Sequence, residues 1–285
     1  MDATALDTEL DRIFDDLTAI PAFPKTVNYA LRILDDPGST TTQVGRVIRF
    51  DPALTANILK AANSAYFGLP RQVSSIETAI ALLGTRQVRE ILIIAASRPY
   101  LDREIYGYGM RQHDLWAHSL GCAAISEIVA RHSGFASSDL LFTSALLHDI
   151  GKYVMNEHVG IRAEEIQLQA GVDAMTFTEA EWRVLGTDHA VLGSEILRLW
   201  EFPRAIVRAV RNHHDPDLYI QDELSRLLAF SNILTVSLGF GVGLDGFRHR
   251  ISPELSRKLK LTASGLAAII QESFAEWQSL ATLLA

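Results

Sequence analysis

His148 and Asp149 close a segment that is otherwise greasy, since residues 139–147 read DLLFTSALL. A helix that is apolar on nearly every side belongs in a core. Burying an imidazole and a carboxylate there costs on the order of several kcal/mol unless they pair, hydrogen-bond or hold a metal. Alone, the pair fits a capped helix end with a satisfied core histidine. Other residues shift that balance: of nine histidines, His118, His148, His189, His213 and His214 fall at the ends or inward faces of apolar helical patterns. Neutral imidazole with carboxylate suits zinc, manganese or iron, and helices in a bundle project such ligands inward from distant positions. Neighbours on an ideal helix point about 100° apart, so His148 and Asp149 share one ion only near the helix end. Gly151 is suited to let the chain turn there. Cys122, one turn from His118, raises a Cys-His nucleophile against the simpler alternative of a small apolar core residue.

Such ligands need a frame of helices. Leu6, Leu10, Ile13, Phe14 and Leu17 recur at helical spacing until Pro21 and Pro24 break the run. Val27, Ala30, Leu31 and Leu34 mark a second helix that stops at Asp35-Asp36-Pro37-Gly38, and Val44, Val47 and Ile48 mark a third. Asp51-Pro52 opens a fourth, with a carboxylate at N-cap and proline at the first helical position. Ser74 and Glu77 have capping-box spacing, Gly84 ends their helix and Thr85 starts another. Arg86 and Arg89 just beyond that turn raise a helix-turn-helix, against which the apolar face Val88, Ile91, Leu92, Ala95 weighs.

Pro99, Gly107 and Gly109 place a boundary between residues 97 and 109, giving expected domains of residues 1–105 and 106–285. A helix over residues 114–132 puts His118 in a stripe with Leu115, Cys122, Ile125 and Val129. Thr178 and Glu181 have capping-box spacing for a short helix closed by Gly186, and Thr187 or Asp188 caps the helix of His189. Pro203 starts the helix that leads to His213-His214-Asp215-Pro216. Gly241-Val242-Gly243-Leu244-Asp245-Gly246 has GxGxxG spacing but follows a helical pattern, so a flexible loop is expected. No strand pattern competes, and the expected class is all-α.

Composition narrows the function. Hydrophobic residues at 48% and charged residues at 21% are ordinary globular values. A formal charge of −8 supplies no field for a polyanion, which disfavours nucleic acid. One cysteine excludes a disulfide framework. The acidic N-terminus lacks signal-peptide features, and the longest apolar run, near Ile91 to Ala96, is too short to span a bilayer. A soluble cytoplasmic protein with no membrane partner is expected.

Several ordered motifs carry a resemblance. Ile20 through Pro24, Phe50-Asp51-Pro52-Ala53-Leu54, the run Ala62-Asn63-Ser64-Ala65-Tyr66-Phe67-Gly68, and Ile76 through Gly84 together resemble the HDOD family of bacterial signalling proteins. Leu115 through Leu120 matches the start of that family's HD-type region. The resemblance implies an N-terminal helical bundle packed on a C-terminal HD-like helical domain. The histidine pattern also resembles the HD superfamily of metal-dependent phosphohydrolases, where a His, a His-Asp pair and a later Asp bind metal and activate water. On that resemblance His118 is the first His, His148 and Asp149 are the pair, and His189, His213 and His214 match the extra histidines of the HD-GYP branch. Asn232 stands where the superfamily has its final aspartate. The implied cofactor is a divalent transition metal, Fe, Mn or Zn.

Asp149 and Lys152 are the catalytic candidates, Lys152 through pairing with a phosphate unless it is an exposed lysine after a helix end. An amide oxygen brings no charge, so metal affinity and tuning of a bound water both suffer at Asn232. The GYP segment is missing, since Asp215-Pro216-Asp217-Leu218-Tyr219 follows His214, and a cyclic dinucleotide hydrolase is not expected. The expectation is therefore a non-catalytic regulatory protein that binds a signalling partner protein or a small ligand through the cleft between its helical parts. Its rival is a metal-dependent phosphohydrolase, and a third class is nucleic-acid binding by the N-terminal helices.

Overall fold

The computed structural model describes residues 3–36, 38–64, 68–69, 71–172, 175–246 and 251–284. Ala65, Tyr66 and Phe67 of the third motif, and Pro37, lie outside these residues. Among the described residues the regular structure is helical, apart from two short 3-10 turns and one isolated bridge between Ile105 and Met110. The all-α class is correct. In order the helices are α1 (Ala3–Ala19), α2 (Lys25–Asp35), α3 (Thr41–Arg49), α4 (Pro52–Ala62), α5 (Ile76–Leu101), α6 (Asp114–Ser133), α7 (Ser138–Leu147) and α8 (Lys152–Ile161). There follow α9 (Ala163–Val172), α10 (Phe177–Leu185), α11 (His189–Leu199), α12 (Arg204–Asn212), α13 (Pro216–Tyr219), α14 (Glu223–Ser237), α15 (Pro253–Lys258) and α16 (Ala263–Leu284). None of the described helices is long and apolar enough to cross a membrane.

The chain forms two compact units, one of residues 22–99 with 277–285, the other of residues 1–21 with 100–276. In the first, α2 packs on α3 and α3 on α4, burying Val27, Ala30, Val44, Ile48 and Ile58. Asp51 caps α4 as expected, accepting from Leu54 N at 2.9 Å. At α5 the cap is Ser75, whose Oγ accepts from Thr78 N at 3.2 Å, one residue later than Ser74. Glu77 is no part of a box and instead pairs with Arg49 at 2.5 Å. Gly84, at φ 81 and ψ 170, breaks α5 where the sequence places a stop. Beyond it Arg86 pairs with Glu90 at 3.0 Å and Arg89 with Asp35 at 2.5 Å, while Val88, Ile91 and Leu92 are buried.

The second unit carries the histidines. Here α6, α7, α12 and α14 pack on one another, and α11 lies against α12 and α8. The expected domain edge at residue 105 differs from this partition at both ends as well as at the cut, which falls at 99/100: α1 belongs with the later helices and residues 277–285 with the earlier ones. Its Ile13 and Leu17 are buried, and its Glu9 and Asp16 meet the two ring nitrogens of His158 on α8 at 2.8 and 2.9 Å.

Candidate metal centre

Four helix ends build the site. His118 lies on the first turns of α6, His148 and Asp149 form the turn after α7, His189 opens α11, and His213 and His214 follow α12. Asn232 sits inside α14, which the Asp222 side chain caps through Ser225 N at 2.9 Å. Asp188 caps α11 through Val191 N at 2.8 Å. Gly151 has ordinary helical φ (−63), so a special turn is not its role. Its role is close approach: a Cβ there would lie 1.9 Å from the carbonyl oxygen of His189, so only glycine lets α11 bring its histidine this near.

The rings are oriented from behind. His118 Nδ1 donates to the Phe240 carbonyl at 3.0 Å, His148 Nδ1 to Ala145 at 2.7 Å, His213 Nδ1 to Val210 at 2.5 Å, and His189 Nδ1 to Glu181 Oε2 at 2.7 Å. Carbonyls and carboxylates only accept, so each Nδ1 carries a proton and each Nε2 of a neutral ring presents a bare lone pair. This outer hydrogen bonding is how metal-ligating histidines are fixed.

Those Nε2 atoms converge on Asp149. His148 and His118 approach its Oδ2 at 3.3 and 3.4 Å, and His189 and His213 approach Oδ1 at 3.4 and 3.9 Å. His118 and His148 Nε2 are 3.3 Å apart, those of His189 and His214 3.0 Å, and Asn232 Oδ1 is 3.1 Å from His118 Nε2. At the neutral rings of His118 and His213, lone pairs facing carboxylate and amide oxygens at these distances repel. Donors that share an ion at about 2.1 Å stand about 3.0 to 3.4 Å from one another, so the spacing fits a metal. Buried Asp149 Oδ1 and His213 Nε2 have no hydrogen-bond partner, as ligand atoms awaiting an ion would not. The residues present therefore fit the implied cofactor in two groups that share Asp149: His118 and His148 on one side, His189, His213 and His214 on the other. All the residues expected at the centre come together.

The charge states of the rings differ in the metal-free centre. Burial pushes His118 down to about 4 and holds His213 well below the usual imidazole range, so both rings are neutral at pH 7. Burial would also lower His189, but the Glu181 and Asp149 carboxylates outweigh it and raise it to about 10, so in the metal-free centre its Nε2 carries a proton that a bound ion would displace. Asp149 is held well below the carboxylate range despite its burial, by His148 and Lys152.

Lys152 is not an exposed lysine: 2% exposed, it donates to Asp149 Oδ2 at 2.6 Å and Asp245 Oδ2 at 2.5 Å. Asp245 comes from the GxGxxG segment, which is no flexible loop. A Cβ on Gly241, at φ +61, would lie 2.3 Å from the Asp114 carbonyl oxygen, so that backbone rests on the first turn of α6 and delivers the Phe240 carbonyl to His118. Cys122 is buried, and burial pushes its thiol up, which leaves no thiolate to act as nucleophile.

Two partners were not expected. The capping box of α10 is Thr176 with Glu179, two residues before the pair that sequence spacing suggests. Glu181 is thereby free to point inward, where it also accepts from Tyr108 Oη at 2.5 Å. A signal existed, because Glu181 shares the stripe of Phe177, Ala180, Val184 and Leu185, all buried. Asp245 had no such signal. Beside the centre a cavity of about 450 Å³ is lined by Trp182, Arg211, His214 and Asp217, among others.

The HDOD domain profile matches residues 20–216. An HDOD domain protein of unknown function from Geobacter sulfurreducens is 25% identical, with a TM-score of 0.71 over 97% of this chain and 94% of that one. A protein named as a candidate phosphohydrolase from Shewanella amazonensis is 22% identical, with a TM-score of 0.73 over 96% of this chain and 98% of that one. An uncharacterized protein of Treponema pallidum is 24% identical over 230 residues, 78% of this chain, which spans 43% of that relative's length. With the profile covering well over half of its length, this chain belongs to the HDOD domain family.

Proposed function

We propose that this chain is a regulatory HDOD module whose histidine centre holds a divalent transition metal and binds a signalling ligand without hydrolysing it. Asn232 carries the reading: its amide faces His118 Nε2 at 3.1 Å where a second carboxylate would complete a hydrolytic centre. Bound at such a centre, a divalent ion would polarise a phosphoryl oxygen and acidify a coordinated water. This chain's own residues do little to use that chemistry. Asp149 is neutralised by Lys152 and so is a poor acceptor for a proton from water, and Lys152, held by two carboxylates, is a poor clamp for a phosphate. His118, His148, His189 and His213 are almost fully buried, so access runs past His214, which is only half-buried. The ligand-binding surface is the cavity at His214, where Trp182 offers an aromatic face and Arg211 a cation.

Turnover of cyclic dinucleotides, nucleotides and a chromogenic phosphodiester, measured with added Mn, Fe or Mg, tests this. No turnover above the metal blank is expected. Metal-dependent turnover abolished by His148→Ala would overturn it in favour of the second reading, a metal-dependent phosphohydrolase, which the cavity beside His214 favours. Protein purified without chelator that holds no transition metal and takes up none on titration removes the second reading and the metal-holding part of the first.

A further inference from the structure

The two halves of the centre are not equivalent. On the His118 side, Asp149 Oδ2 already accepts an ammonium at 2.6 Å, and that ammonium is held from behind by Asp245 at 2.5 Å and lies 5.4 Å from the centre of the Tyr108 ring. Both unpartnered buried atoms, Asp149 Oδ1 and His213 Nε2, are on the other side. We infer that the centre is mononuclear: the ion belongs to His189, His213, His214 and Asp149 Oδ1, and the Lys152 ammonium closes the half made by His118, His148 and Asn232. The inference rests on the metal-holding reading above.

Charge and hydrogen bonding both support it. The metal-holding half has three imidazoles and the carboxylate oxygen that the Lys152 ammonium does not occupy, a donor set that suits Zn, Mn or Fe. The other half has the same carboxylate's second oxygen with a cation already on it, and an amide in place of a further anion. A divalent ion there would stand within a few ångströms of a buried positive charge, in surroundings that screen it far less than water does. Lys152 is held between two carboxylates, Asp149 Oδ2 at 2.6 Å and Asp245 Oδ2 at 2.5 Å, so it fills the space on that side of Asp149. Asn232 also lets that half satisfy itself. With the amide turned over, its N–H donates to His118 Nε2, which a carboxylate could not do. The anchor is firm, because Asp245 is itself buried and sits on the 3-10 turn Leu244–Gly246.

The test is metal stoichiometry on the full chain. Protein stripped with chelator is loaded with Zn²⁺ or Mn²⁺, desalted and assayed by elemental analysis, with affinities from competition against a chromogenic chelator. Wild type is expected to retain one equivalent, with any second bound about 100-fold or more weakly, a cautious allowance for the Coulomb repulsion from the ammonium. Anomalous scattering from the loaded crystal is expected to place the ion beside His213 and away from His118. Lys152→Met alone strands two buried carboxylates, so the double change Lys152→Met with Asp245→Asn, which keeps the buried charge in balance, is the informative variant. It is expected to gain a second equivalent.

Two equivalents of similar affinity in wild type, an ion beside His118, or a folded double variant that still holds only one would each overturn the inference while leaving the metal reading intact. No metal in wild type or variant would overturn both.

Discussion

Glu181 decides what His189 can do. Its Oε2 takes the Nδ1 proton at 2.7 Å and its Oε1 takes the Tyr108 hydroxyl proton at 2.5 Å, so the ring is fixed with Nε2 aimed at Asp149 and its basicity is raised. Glu181→Gln keeps the shape but removes the charge. Metal affinity is expected to fall about 10- to 100-fold, the usual cost of losing an outer-shell partner, with the fold retained. Chelator competition with circular dichroism as control checks this, and an unchanged affinity would mean that His189 is not a ligand. At this scale the sequence is informative where a polar residue interrupts an apolar stripe. His118, His148, Asp149 and His189 all stand out in that way. Glu181 sits on such a stripe too, but Thr178 three residues earlier mimics a cap and hides it. Asp245 lies in a glycine-rich segment with no periodicity, and its partner Lys152 is 93 residues away, so no local pattern could have joined them.

Helices place these residues by contacts that differ in how far they can be read. The α8–α11 approach rests on Gly151, whose replacement by alanine would press a methyl against the His189 backbone. Gly151→Ala is expected to destabilise the fold at or above the upper end of the usual overpacking cost of about 1–3 kcal/mol, and to loosen the centre by moving His189. Urea unfolding and metal titration read the two effects separately, and a variant as stable as wild type would show that the approach is soft. Sequence shows the glycine but not its reason, because the contact crosses between helices.

The cap of α14 is the Asp222 carboxylate, and its pH behaviour follows from its partners. Burial would raise the Asp222 carboxyl, but the Ser225 hydroxyl and N–H, with Arg208, outweigh it and lower it. A depressed carboxyl contributes stability above its unfolded value of about 4 and loses it as pH falls through the folded value. Asp222→Ala is therefore expected to cost about 1 kcal/mol at pH 7 and progressively less below about pH 4. Denaturant midpoints at both pH values check it, and a cost that persists undiminished in acid would assign the effect to packing.

At the scale of the molecule, order along the chain and membership of a unit part company. α1 is first in sequence yet belongs with helices that begin a hundred residues later, tied through His158 to Glu9 and Asp16 at separations of 149 and 142 residues. Periodicity finds α1 but says nothing of where its face is buried, so an edge drawn at residue 105 assigns it elsewhere. Every candidate ligand, with Glu181, Lys152 and Asp245, falls in that same unit. An ion that binds only the folded centre stabilises it by RT ln(1 + [L]/Kd), about 2.7 kcal/mol at a hundredfold excess over Kd. The protection should appear first in the backbone that carries the ligands. Hydrogen exchange with and without chelator is expected to show slower exchange in the metal-loaded protein along α7, the first turn of α11, and α12, with α2 and α3 as the internal reference. Equal gains in α2 and α3 would mean that the ion stabilises the chain as one cooperative body, and no gain in α11 or α12 would remove His189 and His213 from the ligand set.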